Sequence, residues 1–556
     1  MENNRLIKLD SQFEYIKSNI QSNGAILDSL LESSLDFQYH YSSFIFSSLC
    51  YDGDDWEKVL SYLENIKPEQ KKISEEFNNF FILLSFYFFK KDKLKPYINK
   101  IKFRSEADLG KLNNNFTALN ILNKLLLSKV KGVDLKIDFN FFSTIQFDDG
   151  FFPDTNFNLK KNKNTGIPHL VYHAKILMCL GLVYLLDDKN NKKLFNSFIK
   201  GFNALNDIST EKESTFYGRS NNSLFGKSCV QLVYVIHSII TGDNMSLLKS
   251  KNIFINIFKN QYINGYVPLN SNKYTKIRPG YDRYMYDIVY NTYSNAILLL
   301  ANKLSHLNKN KNKNKNDKLY EENITKFFHD SGFVLHRHNK SKLVLNYKGH
   351  QNYTKYLFDS RLSALSINYL EINNINVLPG MVFPIQPITS LVEKKHYLRK
   401  VLSIWNHLIN YNYLPILSGN TIIIEDKNVK YYPFQYIDNK YDVIKFKAIS
   451  RLFFSKKQKF KTFDVKLIFL KNQLNQIFVL QKQQIIYYSI RTKFDYYIIN
   501  DYTLKSGPIT YVFNSKMQLH RKLKFLTSNH TADVIVLKFI NMAELNIKIN
   551  WDENYN

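Results

Sequence analysis

A turn sequence that recurs along the first half of the chain limits the folds available to it. Residues 146–153 read QFDDGFFP, residues 261–268 read QYINGYVP, and a fainter copy, QSNGAI, occupies residues 21–26. Each copy precedes a tyrosine-rich helix start, which lies at Tyr39-His40-Tyr41, at Tyr172-His173 and at residues 281–286. Repeats that begin with a turn and continue as a helix indicate stacked helical hairpins.

Most of residues 1–307 show the apolar spacing of α-helices. Apolar residues recur every three or four positions in segments such as 77–88, 116–127, 170–186 and 224–240. A stretch of this length accommodates about six hairpins. We therefore predict an α/α toroid, built as an incomplete barrel of helical hairpins, whose turns carry their Tyr, His and Asn side chains on one rim.

The second half has a different texture. Residues 308–317 alternate between Asn and Lys and contain no apolar side chain, which is typical of a linker or loop between domains. Short runs of β-branched and aromatic residues follow, separated by polar turns, for example at 342–347, 462–469 and 533–539. These runs predict an antiparallel β-sandwich over residues 318–556. The predicted fold class is therefore α+β multidomain, with the toroid over residues 1–307.

The chain is strongly basic. It has 556 residues and a formal net charge of +28, which favours a polyanionic partner such as an acidic polysaccharide, a nucleic acid or an anionic membrane surface. A second interpretation stays open, because the abundance of Lys, Asn, Ile, Tyr and Phe is typical of an AT-rich genome. In that case part of the charge lies on solvated faces. The sequence has no helix-turn-helix, zinc-finger or P-loop motif, so we expect no nucleic-acid partner.

The three cysteines predict neither disulfides nor a metal site. Cys50, Cys179 and Cys229 lie in apolar helical segments without a CxxC pair, so we expect free thiols, no metal and no cofactor. The first residues contain no signal-peptide hydrophobic region, and the longest apolar run, residues 80–89, is too short to span a bilayer. We expect a cytoplasmic protein of a bacterium or an archaeon with no integral membrane segment. The oligomeric state stays open.

Two polar-aromatic clusters mark the places where loops lead into apolar helices. The first extends from the acidic residues of the 146–153 turn to Tyr172-His173, and the second is residues 217–226, YGRSNNSLFG. A helix start presents free N–H groups and a partial positive charge. With Arg219 beside it, such a start suits a carboxylate or a sulfate. The alternative is that these residues only cap helices and fasten loops.

The order of a helical toroid and an antiparallel β-domain resembles that of the toroid-type polysaccharide lyases. The motifs resemble those of the heparinase II/III-like and alginate-lyase group, which has an Asn-His pair early in a helix. Here that position reads Asn115-Phe116. The group also has an Asp-Gly turn and an acidic residue before a Tyr-His helix start, matched by Asp149-Gly150, Asp154 and Tyr172-His173. A Gly-His element begins its β-domain, matched by Gly349-His350.

The resemblance implies β-elimination of a uronate-containing polysaccharide. Asn115 would neutralise the uronate carboxylate, Tyr172 would act as base or acid with His173 beside it, and His350 would supply an acid from the second domain. Phe116 stands where the group commonly has His, and the second His and the metal-binding pattern of the group are not evident. The predicted substrate-binding residues are Arg219, Asn221, Asn222, Tyr217, Tyr281, Tyr284, Tyr286, Asp149 and Asp154.

Two other functions stay open. A glycoside hydrolase in the same toroid needs two carboxylates flanking the scissile bond, and Asp148, Asp149, Asp154 and Asp282 are candidates. A non-catalytic protein that binds an acidic glycan needs only the basic surface and the aromatic side chains. In all three interpretations the expected partner is an acidic polysaccharide.

Overall fold

The first half of the chain forms helices. The computed structural model describes residues 2–29, 33–67, 75–105, 113–154, 170–187, 191–209, 223–269, 286–306, 323–347, 365–373, 375–378, 422–426, 429–435, 444–451, 460–526 and 531–555. Twelve α-helices lie in the described residues up to 306: α1 Glu2–Lys17, α2 His40–Cys50, α3 Trp56–Asn65, α4 Glu75–Phe89, α5 Lys95–Asn99, α6 Asn114–Lys131, α7 Asn140–Ile145, α8 Leu170–Leu186, α9 Lys192–Ile208, α10 Ser223–Thr241, α11 Asn244–Phe258 and α12 Asp287–Ser305. A two-stranded ribbon, β1 Leu27–Asp28 and β2 Ser33–Ser34, lies between α1 and α2.

The helices form two concentric layers. The even-numbered helices make an inner ring, in which α2 contacts α4, α4 contacts α6, and so on through α8 and α10 to α12, which contacts α2. Odd-numbered helices lie outside this ring, with α3 on α2, α9 on α8, α11 on α10 and α1 on α12. The inner helix α8 is buried along nearly its whole length, whereas α9 buries one stripe. The predicted α/α toroid is confirmed, and the contact between α12 and α2 closes its inner ring.

The three copies of the repeated turn adopt one geometry. Their glycines have φ angles of 90° at Gly24, 98° at Gly150 and 87° at Gly265, a region that favours glycine. In each copy the side-chain oxygen before the glycine accepts the N–H of the residue after it: Asn23 from Ala25 at 3.0 Å, Asp149 from Phe151 at 3.4 Å, and Asn264 from Tyr266 at 3.2 Å. The echo in the sequence therefore reflects a repeated structural unit.

Each turn lies directly on the backbone of an outer helix. A Cβ atom added to the glycine would meet a carbonyl oxygen of that helix: Lys58 of α3 at 2.3 Å from Gly24, Lys200 of α9 at 2.5 Å from Gly150, and Ser11 of α1 at 1.8 Å from Gly265. Glycine is thus required both for the backbone angle and for the close approach. The turns thereby fix each outer helix against the adjoining inner helix.

The residue two positions after each glycine meets a polar side chain on an inner helix. In two copies the contact is a hydrogen bond: the Phe152 N–H donates to Nδ1 of His173 at 3.0 Å, and the Val267 N–H donates to Oδ1 of Asn291 at 3.1 Å. In the first copy the His40 ring lies near the backbone of Ile26 but forms no hydrogen bond of this geometry. We call His40, His173 and Asn291 the latch residues. Each stands at or near the start of an inner helix.

The residue before each latch residue is a tyrosine. Tyr39 directly precedes α2, and Tyr172 and Tyr290 lie in the first turns of α8 and α12, so the three tyrosines are counterparts. For the third copy this corrects the sequence pairing, which used the tyrosines of residues 281–286. The register is set by Asn291, whose Nδ2 also donates to the Val267 carbonyl at 3.0 Å. Tyr290 is thus the counterpart of Tyr172.

The second half of the chain forms two antiparallel sheets. The strands are β3 Asn323–Phe328, β4 Phe333–His338, β5 Ser341–Asn346, β6 Ser366–Ile372, β7 Ile375–Asn376, β8 Ile422–Asp426, β9 Val429–Gln435, β10 Ile444–Arg451, β11 Phe460–Leu470, β12 Gln473–Thr492, β13 Tyr496–Asn500, β14 Thr503–Ser506, β15 Ile509–Phe513, β16 Gln518–Leu526 and β17 Thr531–Trp551. The first sheet has the order β3-β4-β5-β6-β7, and the second has the order β11-β10-β9-β8-β12-β17-β15-β14-β13. In the second sheet β16 pairs with β17, and β11 also pairs with β12.

The five-stranded sheet is the middle layer of the molecule. Along β5, Leu343 and Leu345 share a core with the ten-stranded sheet. Val344, which points to the opposite face, shares a separate core with Phe151 and Leu170 of the toroid. Two sheets packed face to face confirm the predicted β-sandwich, and the toroid covers the remaining face of the smaller sheet.

Three basic side chains of the five-stranded sheet hold the end of α9, and burial lowers the pKa of one of them, Lys342, to about 7. The Lys326 ammonium pairs with the Asp207 carboxylate, Nη2 of Arg337 donates to the Asp207 carbonyl at 3.5 Å, and Nζ of Lys342 donates to the Ser209 carbonyl at 2.5 Å. The C-terminus of a helix carries partial negative charge and unpaired carbonyls, so this placement is favourable. The contact fixes the toroid relative to the sandwich.

The predicted domain boundary is not tested directly. The last helix of the toroid ends at Ser305 and the first strand of the small sheet begins at Asn323, but the predicted linker, residues 308–317, lies outside the described residues. The boundaries 1–307 and 318–556 stay predictions.

One described segment, Leu224–Thr241, is apolar and long enough to cross a membrane, and 83% of it is buried inside the protein.

Substitution of Gly265 tests the close approach of the repeated turn. Gly265→Ala should lower the free energy of unfolding by more than about 3 kcal/mol, because a positive φ and a clash with the Ser11 carbonyl act together. Gly132→Ala is the control, since Gly132 has a φ of 64° and no atom within 4 Å of the added Cβ. It should cost about 1–2 kcal/mol. Denaturant titration measures both, and equal losses would contradict the close approach.

Candidate functional site

The starts of the inner helices meet in the middle of the ring. Tyr39 of α2 stacks on Phe77 of α4 at a centroid distance of 4.2 Å, and Phe77 lies 5.7 Å from Phe116 of α6. On the other side, Tyr290 of α12 lies 6.4 Å from Tyr39 and 5.5 Å from Phe225 of α10. We call these five rings the central aromatic cluster. They come from five of the six inner helices.

The sixth inner helix, α8, contributes a lysine to this cluster. Nζ of Lys175 lies 3.5 Å from the centroid of the Phe77 ring and 5.4 Å from that of Phe116, and it donates to Oδ1 of Asn115 at 2.7 Å. Tyr39 stacks on Phe77 with an interplanar angle of 13°, so the ammonium must occupy the opposite face of that ring. Phe77 is therefore held between a phenol and a cation.

The Lys175 side chain is fully buried, which is costly for a charged group. Burial lowers the pKa of Lys175 from 10.5 to about 8, because the charged form loses its hydration. The faces of two aromatic rings and the amide oxygen of Asn115 offset part of this cost. Lys175 thus places a positive charge in the middle of the toroid, one helical turn after Tyr172.

A group of asparagines connects Lys175 to Asp154. The Asp154 carboxylate accepts Nδ2 of Asn113 at 2.9 Å and Nδ2 of Asn115, and its backbone carbonyl accepts the N–H of Asn114 at 2.6 Å. Asn115 and Asp154 are each 1% exposed. The side chains form a chain of contacts from the Lys175 ammonium through the Asn115 amide to the Asp154 carboxylate. This chain fastens the start of α6 to the loop that follows the Gly150 turn.

The structure brings Asn115 and Asp154 together, but both lie in the interior. The two polar atoms of the Asn115 amide are already used by Lys175 and Asp154. Because the Asn115 side chain is 1% exposed, it reaches a substrate carboxylate only if the side chains around it move. The predicted contacts of Asn115 and Asp154 with substrate stay predictions, and the geometry favours a supporting role for both.

His173 is buried, and both of its ring nitrogens are used. Nδ1 accepts the Phe152 N–H, so the proton resides on Nε2, which donates to the Gly201 carbonyl at 3.2 Å. Burial lowers the pKa of His173 to about 3, so the ring is neutral at ordinary pH. The geometry favours a latch over the predicted catalytic role, because a neutral imidazole supplies no charge to Tyr172.

Asp149 lies at the contact between the toroid and the small sheet. Its carboxylate accepts the N–H of Ser331 at 2.7 Å and the Ser331 hydroxyl at 2.8 Å. Burial raises the pKa of Asp149, and the Ser331 hydrogen bonds oppose that rise. Phe151 packs beside it on Phe328 and Phe333, at 5.3 and 5.6 Å. These contacts favour a role for Asp149 in joining the domains.

Tyr172 is half-buried, unlike Asn115 and His173, the other described residues of the predicted catalytic set. It lies in the first turn of α8, close enough to Tyr39 for the two hydroxyls to interact electrostatically. Tyr286, at the start of α12, is also half-buried, and its ring lies 5.9 Å from that of Phe37. The other predicted site residues lie outside the described residues: Tyr217, Arg219, Asn221, Asn222, Tyr281, Tyr284 and His350.

Lys175 is not among the residues predicted from the sequence. A signal was available, because Lys175 is the only charged residue in the otherwise apolar 17-residue helix α8.

No group of three or more potential metal ligands occurs in the part of the chain that the structure describes. The described cysteines carry no disulfide, and Cys179 and Cys229 are buried.

Comparisons with known proteins identify the fold. No family model matches the sequence, and no curated protein matches it. The chondroitin AC lyase of Streptomyces coelicolor A3, solved with chondroitin sulphate, superposes with a TM-score of 0.52 at 8% identity, over 99% of this chain and 79% of that chain. A chondroitinase AC lyase solved in oligosaccharide complexes gives 0.50 at 10% identity, over 98% and 80%.

A third structure is the heparan sulfate lyase HepC of Pedobacter heparinus, which gives a TM-score of 0.45 at 9% identity, over 93% of this chain and 76% of that chain. The chondroitin lyase superpositions extend over nearly the whole chain. This protein therefore has the fold of the toroid polysaccharide lyases, as its motifs predicted. At these identities the likeness concerns the fold alone.

The lowered pKa of Lys175 gives a testable pH dependence. Below about pH 8 the Lys175 ammonium is charged and its burial destabilises the fold. Between pH 8 and 10.5 the Lys175 amine is neutral in the folded protein but still protonated in the unfolded chain, so the free energy of unfolding rises with pH over this range. Relative to Lys175→Met, the wild type should therefore gain up to about 3 kcal/mol over that range. Paired denaturant titrations at pH 7.5 and pH 10 measure the difference. A difference independent of pH would contradict the buried charge.

Proposed function

We propose that this protein is a polysaccharide lyase that cleaves an acidic, uronate-containing polysaccharide by β-elimination. The observation that carries the proposal is the position of Tyr172, a half-buried phenol at the start of an inner helix, one turn before a buried ammonium. The fold shared with chondroitin AC lyase supports the same class of reaction.

Elimination begins at the C5 proton of the uronate. This proton is weakly acidic because the adjacent carboxylate is negatively charged. Positive charge and hydrogen-bond donors at that carboxylate stabilise the enolate-like transition state. We assign this contact to Arg219 together with Asn221 or Asn222. Asn115 supports this contact indirectly, because its side-chain oxygen accepts a hydrogen bond from the Lys175 ammonium and holds that charge in place.

A base must then remove the C5 proton. A tyrosinate at Tyr172 can do so if nearby cations stabilise the phenolate, and Lys175 and Arg219 are the candidates. As the C5–H bond breaks, its electron pair forms the C4–C5 double bond and the C4–O bond breaks. The leaving oxygen receives a proton from Tyr172 in a syn elimination or from His350 in an anti elimination. His173 takes no part, because both ring nitrogens are used.

Aromatic side chains provide the surface for the sugar rings. Sugar rings present apolar C–H faces that pack on aromatic rings. We assign this role to Tyr286, with Tyr217, Tyr281 and Tyr284 beside it. Asp149 and Asp154 support the site from the interior, in keeping with their contacts to Ser331 and to the asparagines of α6.

The direct test is a screen of the purified protein against uronate polysaccharides. Elimination leaves an unsaturated uronate that absorbs in the near ultraviolet, and hydrolysis does not. Growth of this absorbance with at least one substrate supports the proposal. New reducing ends without absorbance would indicate a glycoside hydrolase, and salt-sensitive binding without any cleavage would indicate a glycan-binding protein. Either result would overturn the proposal.

Substitution of Tyr172 tests the assignment of the base. Tyr172→Phe should lower turnover by about 10²–10⁴-fold while the free energy of unfolding and glycan binding stay close to wild type. Tyr184→Phe is the matched control, since Tyr184 is also half-buried and lies in the same helix about 18 Å away. The control should keep its turnover. Near-normal turnover of Tyr172→Phe would rule out this role.

Lys175→Met tests the cation that supports the phenolate. Removal of the charge makes the phenolate harder to form, so the rise of kcat/KM with pH should move to higher pH. A purely structural role would lower activity at every pH without moving the profile. The pH profiles of wild type and variant, measured under conditions where both are folded, decide between these outcomes.

A further inference from the structure

We infer that the solvent-facing side of the ten-stranded sheet is a second binding surface for an acidic glycan chain, separate from the toroid. This inference rests on the substrate class of the proposed function, an acidic polysaccharide, but it does not require that the protein cleaves that polysaccharide. The residues that carry it are aligned across adjacent strands and come from elements that the proposed site does not use. We call this surface the outer sheet face.

The outer sheet face follows from the alternation of the strands. In residues 473–479 of β12 and 544–550 of β17, the side chains of one parity, including Leu474, Phe478 and Ile549, are buried in the core of the sandwich. Side chains of the other parity point to solvent. They include polar side chains from six strands: Lys466, Gln473, Asn475, Tyr497, Lys505, Thr510, Lys548 and Asn550.

The register aligns five of these side chains in one row. Tyr497 lies opposite Lys505, Lys505 opposite Thr510, Thr510 opposite Asn550, and Asn550 opposite Gln473. Adjacent strands are about 4.8 Å apart, so the row extends over roughly 19 Å. A row of this length is suited to an extended chain that lies across the strands.

The next row adds a second cation. Lys548 lies opposite Asn475 and opposite Val512. Lys505 and Lys548 are exposed, and within the described part of the chain neither forms an ion pair. By contrast, Lys516 pairs with Asp501 and Lys522 with Asp533. The two cations of the outer sheet face are thus available for an external anion.

Carboxylates lie on both sides of the two cations along the strands. Asp464 and Glu544 both lie opposite Val479, two rows beyond Lys548. Successive rows on one face are about 7 Å apart, which places this acidic row roughly 14 Å from Lys548. At the other end, Asp552 is exposed and its N–H donates to the Pro508 carbonyl, one row beyond Asn550. The positive charge is thus confined to the two rows that contain Lys505 and Lys548, where it is complementary to carboxylate or sulfate groups.

The uncharged side chains of the row fit a polysaccharide. The side-chain amides of Gln473 and Asn550 and the hydroxyl of Thr510 can each donate and accept hydrogen bonds, as sugar hydroxyls do. Tyr497, on the edge strand β13, is 66% exposed and offers a ring for a sugar face. A hydroxyl-rich chain can use all of these uncharged partners, which favours a glycan over a nucleic acid.

The test is a binding measurement on the full chain carrying Tyr172→Phe, so that cleavage does not interfere. Fluorescently labelled chondroitin sulfate, heparan sulfate and alginate chains serve as probes at fixed ionic strength. A Lys505→Ser and Lys548→Ser double variant should weaken the Kd for its best-bound long chain by about ten-fold. The control double variant, Lys516→Ser and Lys522→Ser, loses the same charge and should change the Kd by less than about two-fold.

Tyr497→Ser should weaken the same Kd by about three-fold or more. An unchanged Kd in the Lys505 and Lys548 variant, or equal losses in both double variants, would overturn the inference. Tighter binding of single-stranded nucleic acid with the same lysine dependence would overturn it as well. In the protein with Tyr172 intact, the Lys505→Ser and Lys548→Ser double variant should raise KM for long chains and leave kcat/KM for short oligosaccharides unchanged. Face-dependent binding without any cleavage would overturn the proposed function but leave this inference standing.

Discussion

The approach of a glycine to the backbone of a neighbouring helix fixes the register of this toroid. At Gly150 the approach leaves no room for a Cβ atom, and the positive φ turns the chain so that the Phe152 N–H meets the His173 ring. The latch then places Tyr172, the preceding residue, at the start of an inner helix. The same positive φ and close approach recur at Gly24 and Gly265, the turns that correspond to Tyr39 and Tyr290. One local constraint, used three times, therefore brings three phenols toward the middle of one ring.

The three copies of the repeated turn, and the tyrosines that correspond to them, lie in different surroundings. Burial raises the pKa of Tyr39 well above its usual value, so this phenol stays protonated, whereas Tyr172 is half-buried. The middle copy also carries Asp149, which binds Ser331 of the small sheet. The turn that positions the proposed base thus also holds the second domain. This arrangement gives a physical reason why the proposed chemistry and the domain contact would occur at the same copy.

The sequence predicts the layers of this protein better than the roles of single residues. Periodicity and the repeated turn predicted the toroid and the sandwich, because both depend on local patterns. A histidine at a helix start has the same local pattern whether it binds substrate or holds a turn, so the role of His173 required the contact to Phe152. Lys175 was missed because its neighbours Phe77 and Asn115 lie on other helices of the ring. The pairing of Tyr290 with Tyr172 depended on a hydrogen bond of Asn291 that no spacing reveals.

The central claim is that the toroid carries out elimination and not hydrolysis. The most direct measurement is mass spectrometry of the products formed from a uronate oligosaccharide in water enriched in heavy oxygen. Elimination adds no water, so the product masses should sum to the mass of the substrate, with no heavy oxygen at the new ends and one unsaturated uronate per cleavage. Products whose masses sum to the substrate plus one water, with one heavy oxygen atom per cleavage beyond that exchanged by an uncleaved reducing end, would contradict the account.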